Sequence, residues 1–176
     1  DVAATLNCLK ALGVPCRYAN GQMITVGGPT GSPVNPLLDC GESGSTLRFL
    51  LPVALVSGIT ARFTGQGRLM QRPLQDYLNT LAANGGQFHL ENDILTVSGQ
   101  LQAGSFRLPG HISSQFVTGL LLALPLLQAD SELVITTPLE SKAYVDLTIA
   151  VLRDFGVSII NEDYSRFIIP GNLIYQ

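Results

Sequence analysis

A pattern repeated at a nearly constant interval is the feature that most constrains the fold of this chain. Three segments each combine an amphipathic stretch, a glycine at a corner and two short runs with β-strand character. The corner glycines are Gly13, Gly85 and Gly156, so successive corners are 72 and 71 residues apart. Two independent intervals that agree to one residue indicate copies of one supersecondary unit rather than a chance likeness.

A second landmark has the same period. Ser43-Gly44-Ser45 and Ser113-Ser114-Gln115 each precede a long apolar run, and Ser43 and Ser113 are 70 residues apart. Serine is a common residue at a helix start, so the sequence predicts helices over Ser43–Ala54 and Ser113–Leu124. Nearly every side of these helices is apolar, which is typical of helices buried all round.

The remaining elements follow from hydrophobic periodicity. Alternating β-branched runs predict strands, and amphipathic runs that end near a glycine predict helices with a left-handed C-terminal residue. The predicted strands are Thr60–Thr64, Gly104–Leu108 and Glu132–Thr136, the hairpins pair Gln87–Leu90 with Leu95–Ser98 and Val157–Ile160 with Arg166–Ile169, and the amphipathic helices are Arg72–Ala83 and Tyr144–Phe155.

Buried helices combined with alternating strands predict an unusual α/β (α+β) architecture, with helices bundled at the centre and sheets outside them. We expect residues 1–176 to form a single lobe. Residues 1–35 are the tail of a first repeat, 36–101 a second repeat and 102–176 a third. Because Asp1 stands where the amphipathic helix of the first repeat begins, we expect this chain to be a piece of a longer protein.

Composition and charge exclude several classes of protein. Apolar residues make up 46% and charged residues 13%, so the chain can bury a sizeable core and is not intrinsically disordered. No apolar run reaches the roughly 18 to 20 residues that a membrane span needs, since the longest, Gly119–Leu127, is interrupted by Pro125. A net charge of −3 and the absence of Lys/Arg clusters argue against a nucleic-acid surface.

The cysteines indicate a cytoplasmic protein without a metal site. Cys8, Cys16 and Cys40 are an odd, scattered set with no C-x-x-C pair, and no secretory signal precedes them. His89 and His111 lie far from them without ligand-like spacing. We therefore expect buried or half-buried free thiols in a reducing cytosol.

The run from Cys40 to Arg48 is the first candidate site. Small residues at a helix start leave backbone N–H groups free to bind an anion, although a glycine-rich turn with an ordinary N-cap has the same composition. The run is not a P-loop, because no Lys-Ser/Thr follows the glycines at the required spacing. Arg68 and Arg72 form a second candidate, just before Pro73. A cation at a helix start is unfavourable, so each arginine either projects to solvent or binds an anion.

Two further helix starts carry polar residues. One serine suffices as the cap before the apolar run at 113–124, which leaves the second serine and Gln115 either as plain first-turn residues or as ligand contacts. Ser141–Asp146 occupies the repeat position of Gln71–Asp76, with Lys142 in the place of Arg72. If the repeats pack around a pseudo-axis, these helix starts converge on one face, where they suit a small polyanion. No Ser-His-Asp or Cys-His arrangement and no acid/base pair of carboxylates is evident.

Four motifs, in their order and spacing, resemble those of the 5-enolpyruvylshikimate-3-phosphate synthase family over essentially the whole chain. They are Cys40–Arg48, Arg68–Pro73, Ser113–Phe116 and Ser141–Thr148. The resemblance implies transfer of the enolpyruvyl group of phosphoenolpyruvate to the 5-hydroxyl of shikimate 3-phosphate, in the shikimate pathway to aromatic amino acids, without a metal or an organic cofactor. It also implies two lobes, each built from three inside-out βαβαββ units.

The resemblance also assigns substrate contacts by motif. Phosphoenolpyruvate is expected at Gly44, through its backbone, and at Arg72, through its guanidinium fork. Gln115 is expected to touch both substrates. The other expected contacts are with shikimate 3-phosphate: Ser113 and Ser114 on its phosphate and ring side, Ser141 on its phosphate and Tyr144 against its ring.

The chain departs from the family pattern in ways that bear on activity. The family's N-terminal Lys-Ser-x-x-x-Arg segment and its second lobe, which supplies proton transfer, have no counterpart here. His111 stands where the family more often has Asp, and Ala143 where Pro is common. We therefore expect a folded half-site without turnover and no catalytic residue in this chain.

Three other interpretations remain open from the sequence. The enolpyruvyl transferase acting on UDP-N-acetylglucosamine shares the fold, but it has a different motif set and a loop cysteine that none of the cysteines here resembles. A non-catalytic module that binds a phosphorylated metabolite is possible in the same fold. In a purely structural repeat protein, the serines and glycines are only caps.

Overall fold

The computed structural model describes residues 1–25, 31 and 33–175. Within them, helices and strands alternate through most of the chain, and short 3₁₀ helices cover Leu69–Gln71 and Leu124–Leu126. The elements in chain order are α1 (Val2–Ala11), β1 (Cys16–Ala19), β2 (Gln22–Thr25), β3 (Leu37–Asp39), α2 (Gly44–Val56), β4 (Ala61–Thr64), α3 (Gln75–Ala83), β5 (Gly86–Glu91), β6 (Ile94–Gly99), β7 (Ser105–Leu108), α4 (Ser114–Ala123), β8 (Ser131–Ile135), α5 (Lys142–Asp154), β9 (Ile160–Glu162) and β10 (Arg166–Ile169).

Two four-stranded sheets have the same internal order. One sheet runs β3-β4-β6-β5 and the other β7-β8-β10-β9. In each, the first two strands are parallel and the other neighbours are antiparallel. Each sheet belongs to a chain segment with the order βαβαββ. The predicted α/β fold class is therefore confirmed, while the boundaries of the repeats stay a prediction.

The two apolar helices lie at the centre. Helices α2 and α4 pack against each other, and most residues of both are buried. The strands bury alternate residues, as Ala61 and Phe63 show in β4 and Phe106 and Leu108 in β7. One face of each sheet therefore packs on the core, and the predicted arrangement of central helices and outer sheets is confirmed.

The three corner glycines have the left-handed backbone that the repeat predicts. Their φ angles are 82° at Gly13, 102° at Gly85 and 84° at Gly156. At Gly85 a side chain is also excluded by space, because a Cβ there would lie 2.4 Å from the carbonyl oxygen of Gln100.

Several predicted element boundaries differ from the structure. The strand predicted over Val157–Ile160 is observed as β9, Ile160–Glu162, and two further differences lie beside a proline. Helix α3 begins at Gln75, three residues after the predicted start, because Arg72 precedes Pro73 and takes an extended conformation with φ −69° and ψ 144°. The helix predicted over Ser113–Leu124 ends at Ala123, where a 3₁₀ helix containing Pro125 follows. The short strand β3 was not predicted.

The cysteines are free, and the burial prediction for them is confirmed. Cys8 and Cys40 are buried and Cys16 is half-buried. The Cys8 thiol donates a hydrogen bond to the carbonyl of Asp39 at 3.3 Å, and a hydrogen bond with Cys8 together with burial raises the pKa of the Cys40 thiol. Within the described part of the chain, no helix is both long and apolar enough to cross a membrane. Val26 and Gly27, at the end of the β-like runs that follow Gly13 in the first repeat, lie outside the described residues.

Candidate functional site

The start of α2 has the features of a helix terminus that suits an anion. The hydroxyl of Ser43 accepts a hydrogen bond from the backbone N–H of Thr46 at 3.2 Å and so caps the helix. Gly44 follows as the first residue of the helix and is buried. The first N–H groups of a helix have no acceptor within it, and the helix dipole places partial positive charge there.

Polar side chains from three elements surround Gly44. A Cβ built on this glycine would lie 2.7 Å from Nη1 of Arg48, 3.2 Å from Nη1 of Arg72 and 3.4 Å from Oε1 of Gln115. Arg48 belongs to α2 itself, Arg72 to the segment before α3 and Gln115 to the first turn of α4. We call Gly44, Arg48, Arg72 and Gln115 the arginine cluster.

Arg48 is the most buried cation of the arginine cluster. Its residue is only 8% exposed, its Nη1 donates a hydrogen bond to Oε1 of Gln115, and its guanidinium carbon lies 4.9 Å from the centre of the Phe116 ring. Its Nε has no hydrogen-bond partner among the described residues. Burial, followed by the positive charge of Arg72, lowers the pKa of Arg48.

Neither guanidinium of the arginine cluster forms an ion pair with a carboxylate in the part of the chain that the structure describes. Two neighbouring cations beside a helix N-terminus repel each other, and burying such a charge without a counter-charge is costly. A bound anion relieves both costs, and guanidinium groups match carboxylate and phosphate oxygens in pairs. The arginine cluster therefore has the charge and the geometry that suit an anion.

The starts of α4 and α5 differ in how they are capped. Ser113 caps α4, since its hydroxyl accepts from the N–H of Gln115 at 3.3 Å, and the next hydroxyl, that of Ser114, is not used for capping. Ser141 precedes α5 with a left-handed backbone, φ 55° and ψ 40°, and makes no side-chain cap. Its hydroxyl is therefore not committed to the helix.

A groove of about 700 Å³ connects the starts of α2, α4 and α5. Its polar end contains the predicted residues Ser113, Ser114, Gln115 and Ser141, while the exposed ring of Tyr144 lies along its side. The other wall residues are Asp1, Ser45, Phe49, Thr118, Leu122, Leu147, Thr148 and Val151.

The structure thus brings the predicted residues together in two adjoining places. Gly44 and Arg72 lie in the arginine cluster, the serines and Tyr144 line the groove, and Gln115 belongs to both. Sequence reasoning gave Arg48 no role, although an arginine within an otherwise apolar helix was a usable signal. His111 is exposed and contacts Thr137 at 3.1 Å rather than lining the groove. No cluster of potential metal ligands is found among the described residues.

Comparison with known proteins identifies the family to which the chain belongs. The family model described as EPSP synthase (3-phosphoshikimate 1-carboxyvinyltransferase) matches residues 1–174. The chain belongs to the EPSP synthase family. The motifs that carry the arginine cluster and the groove lie within that match, so the resemblance seen in the sequence is confirmed at the level of the family.

Curated relatives and solved structures extend the comparison. A protein named 3-phosphoshikimate 1-carboxyvinyltransferase from Clostridium beijerinckii is 43% identical over all of this chain, and one of the same name from Clostridium novyi is 44% identical over 98% of it. The chain spans about 42% of the length of each. An EPSP synthase structure from Acinetobacter baumannii has a TM-score of 0.79 at 22% identity over 98% of this chain and 39% of its own, which shows the same fold.

Proposed function

We propose that this chain supplies the shikimate-3-phosphate-binding half-site of an enzyme that transfers the enolpyruvyl group of phosphoenolpyruvate to the 5-hydroxyl of shikimate 3-phosphate, with release of phosphate. The observation that carries the proposal is the meeting around Gln115 of three helix starts and two guanidinium groups, neither of which forms an ion pair with a carboxylate among the described residues. Two anionic substrates need two adjoining anion sites, and one residue shared by both sites brings the reacting groups together.

Shikimate 3-phosphate is assigned to the groove. The hydroxyls of Ser113, Ser114 and Ser141 are donors suited to a phosphate dianion, and the dipole of α4 places partial positive charge beside them. The ring of Tyr144, 67% exposed, offers an apolar face to the carbon ring of the ligand.

Phosphoenolpyruvate is assigned to the arginine cluster. Its phosphate and carboxylate both suit paired N–H donors from Arg48 and Arg72, and the backbone at Gly44 allows close approach because no Cβ intervenes. Gln115 then lies between the two substrates. Its Oε1 already accepts from Arg48, so its amide nitrogen is left to donate to a ligand oxygen.

Proton transfer is assigned to the part of the protein that lies outside this chain. No carboxylate or histidine belongs to the arginine cluster in the described residues, and the one carboxylate of the groove wall, Asp1, accepts a hydrogen bond from Ser45 at 3.3 Å. A general acid or base must reach the reacting atoms to act. A second lobe that closes over the substrates is the source that the family resemblance implies.

A titration of the isotope-labelled 176-residue chain tests the half-site. We expect shikimate 3-phosphate to shift the amide resonances of residues 113–115 and 141–144 with millimolar or tighter affinity. Ser114→Ala removes a hydrogen bond to a charged group, so we expect affinity to fall about tenfold. Ser98→Ala, on the outer strand β6, is the matched control and is expected to bind as the unaltered chain does.

UDP-N-acetylglucosamine is titrated in parallel. Shifts with the nucleotide sugar alone would move the proposal to the other branch of enolpyruvyl transferases. An absence of shifts with both ligands would contradict substrate binding by this chain alone. Equal losses of affinity in Ser114→Ala and Ser98→Ala would contradict the assignment of the groove.

A further inference from the structure

The turn between β9 and β10 contains an unusual residue. Asp163 and Tyr164 both have left-handed backbones, with φ angles of 49° and 57°. Left-handed φ is a genuine outlier for a bulky side chain and persists only where the surroundings hold it. The equivalent turn between β5 and β6 uses Asn92 and Asp93 at φ 49° and 58°, residue types that tolerate this backbone. The third repeat thus places a tyrosine where the second has an aspartate.

Two residues of α5 hold the Tyr164 side chain. Its hydroxyl donates to both carboxylate oxygens of Asp146, at 2.9 and 3.0 Å, and the ammonium of Lys142 lies 4.6 Å from the centre of its ring. Lys142 and Asp146 are four residues apart and therefore neighbours on one face of the helix. The ring also meets the buried Phe167 edge-on, with centroids 6.5 Å apart. The hydrogen bond to Asp146 is the main cause that raises the pKa of Tyr164.

These contacts act on the first turn of α5. Lys142 is the first residue of the helix, where a cation opposes the helix dipole and needs another partner. It lines a cavity of about 340 Å³ together with Asp163 and Tyr164, whereas its neighbours Ser141 and Tyr144 line the groove. Ser141 has a left-handed backbone and no side-chain cap, and its carbonyl accepts a hydrogen bond from the N–H of Tyr144 at 3.1 Å, so its position is tied to that of the first turn.

We propose that Tyr164 is a positioning residue, which fixes the first turn of α5 through Lys142 and Asp146 and thereby sets Ser141 and Tyr144 in the groove. The fixing of the helix stands on the geometry alone. Its consequence for ligand affinity rests on the proposed function, since it requires that the groove binds shikimate 3-phosphate.

Tyr164→Asn is the informative variant, because asparagine tolerates the left-handed backbone of the turn while it removes both contacts with α5. Tyr164→Phe keeps the ring over Lys142 and removes only the bond to Asp146. Asp93→Asn, at the equivalent turn position of the other sheet, is the matched control. Backbone amide hydrogen exchange and the melting temperature are measured for each variant of the 176-residue chain.

We expect the amides of residues 144–147 to exchange at least about fivefold faster in Tyr164→Asn than in the unaltered chain. The increase should be smaller in Tyr164→Phe, and Asp93→Asn should exchange as the unaltered chain does. The last turn of α5 and the melting temperature should change little, because the new residue relieves the strained turn. Exchange at 144–147 that equals that of the unaltered chain would overturn the proposal. Faster exchange throughout the chain with a lower melting temperature would also overturn it, since it indicates ordinary structural support.

Titration of the same variants with shikimate 3-phosphate tests whether Tyr164 affects ligand affinity. We expect Tyr164→Asn to weaken binding about three- to tenfold, as expected for the loss of one ordered hydrogen bond to a charged group. Faster local exchange with unchanged affinity would overturn the link to the ligand. If the unaltered chain itself does not bind, the proposed function fails, while the exchange measurement still decides whether Tyr164 positions α5.

Discussion

Arg48 shows how single residues prepare the arginine cluster for an anion. The aromatic face of Phe116 and the amide of Gln115 offset part of the cost of burying its guanidinium, but its Nε is left without a partner and Arg72 adds a second positive charge. Because burial and the charge of Arg72 disfavour the cation, an anion that binds beside it gains more than it would at an exposed arginine. The two guanidinium groups are therefore in place before a ligand binds.

Gly44→Ala tests that arrangement. The new Cβ would come closer than normal contact to Nη1 of Arg48 and close to Arg72, and both are the ends of flexible side chains that can move away. We therefore expect the fold to persist while the guanidinium groups lose their positions. The affinity for phosphoenolpyruvate, measured by calorimetry, should fall about tenfold, which corresponds to about 1.4 kcal/mol.

The control for Gly44→Ala is Ser57→Ala, at the opposite end of α2. The control should leave the affinity unchanged, and both variants should melt within a few degrees of the unaltered chain. Unaltered affinity in Gly44→Ala would contradict the placement of an anion against this backbone.

The sequence predicted the position of a residue where a local motif contains it. It did not predict roles that depend on which residues meet in the folded chain. The positions of Gly44 and Ser113 at helix starts follow from small and hydroxyl residues before apolar runs, and the structure has them there. The left-handed backbone of Ser141 has no such signal, because serine does not favour it. Arg48 stands out in the sequence as an arginine in an otherwise apolar helix, but the sequence does not tell which neighbours its side chain meets.

At the scale of elements, the closest approach of α2 and α4 depends on Gly119. A Cβ at this position would lie 2.4 Å from the carbonyl oxygen of Arg48 and 2.5 Å from the hydroxyl of Tyr77, which itself donates to that carbonyl at 3.1 Å. Three helices thus meet at one glycine, and the obstructing carbonyl is backbone that moves only with its helix.

Gly119→Ala should therefore destabilise the chain, although alanine is the better helix former by about 1 kcal/mol. We expect the free energy of unfolding in urea to fall by about 1–3 kcal/mol, the cost of overpacking a core. Tyr77→Phe removes one of the two obstructing atoms, so the double variant should lose at least about 0.5 kcal/mol less than the sum of the single losses. Additive losses, or a gain in stability in Gly119→Ala, would contradict the packing described.

Element prediction worked best where periodicity was long. The apolar helix predicted over Ser43–Ala54 is observed as Gly44–Val56, even though Pro52 lies inside it. Prediction failed at short segments and beside prolines. The three residues of β3 are too few to show a periodic pattern. The extended conformation of Arg72 before Pro73 makes α3 begin at Gln75. The layering was predictable because it follows from which faces are apolar.

At the scale of the whole molecule, the two copies of the βαβαββ unit explain why the site lies where it does. In each copy the first helix is buried and begins near the amphipathic helix that follows, so the starts of α2, α4 and α5 open on one groove. Their dipoles add at that end, which makes a face of a chain with net charge −3 attractive to anions. The repeat therefore creates the binding face, and the side chains select the ligand.

This geometry leads to the last prediction, that the 176-residue chain binds shikimate 3-phosphate but does not turn over. The arginine cluster and the groove hold anions, yet among the described residues neither contains a group placed to move a proton. Catalysis of this transfer requires the reacting atoms to be enclosed and a proton donor and acceptor to be held against them. We expect no phosphate release above the uncatalysed rate when both substrates are supplied at saturating concentration.

The measurement is a continuous phosphate-release assay, with the full-length Clostridium beijerinckii relative as the positive control, since this chain matches 42% of its length at 43% identity. Binding of shikimate 3-phosphate is verified in the same sample, so that an inactive chain is distinguished from an unfolded one. Release that depends on both substrates and disappears in Arg72→Ala would contradict the prediction. It would place a complete catalytic apparatus within the described residues and require a proton-transfer group, of which Asp1 is the only carboxylate on the wall of the groove.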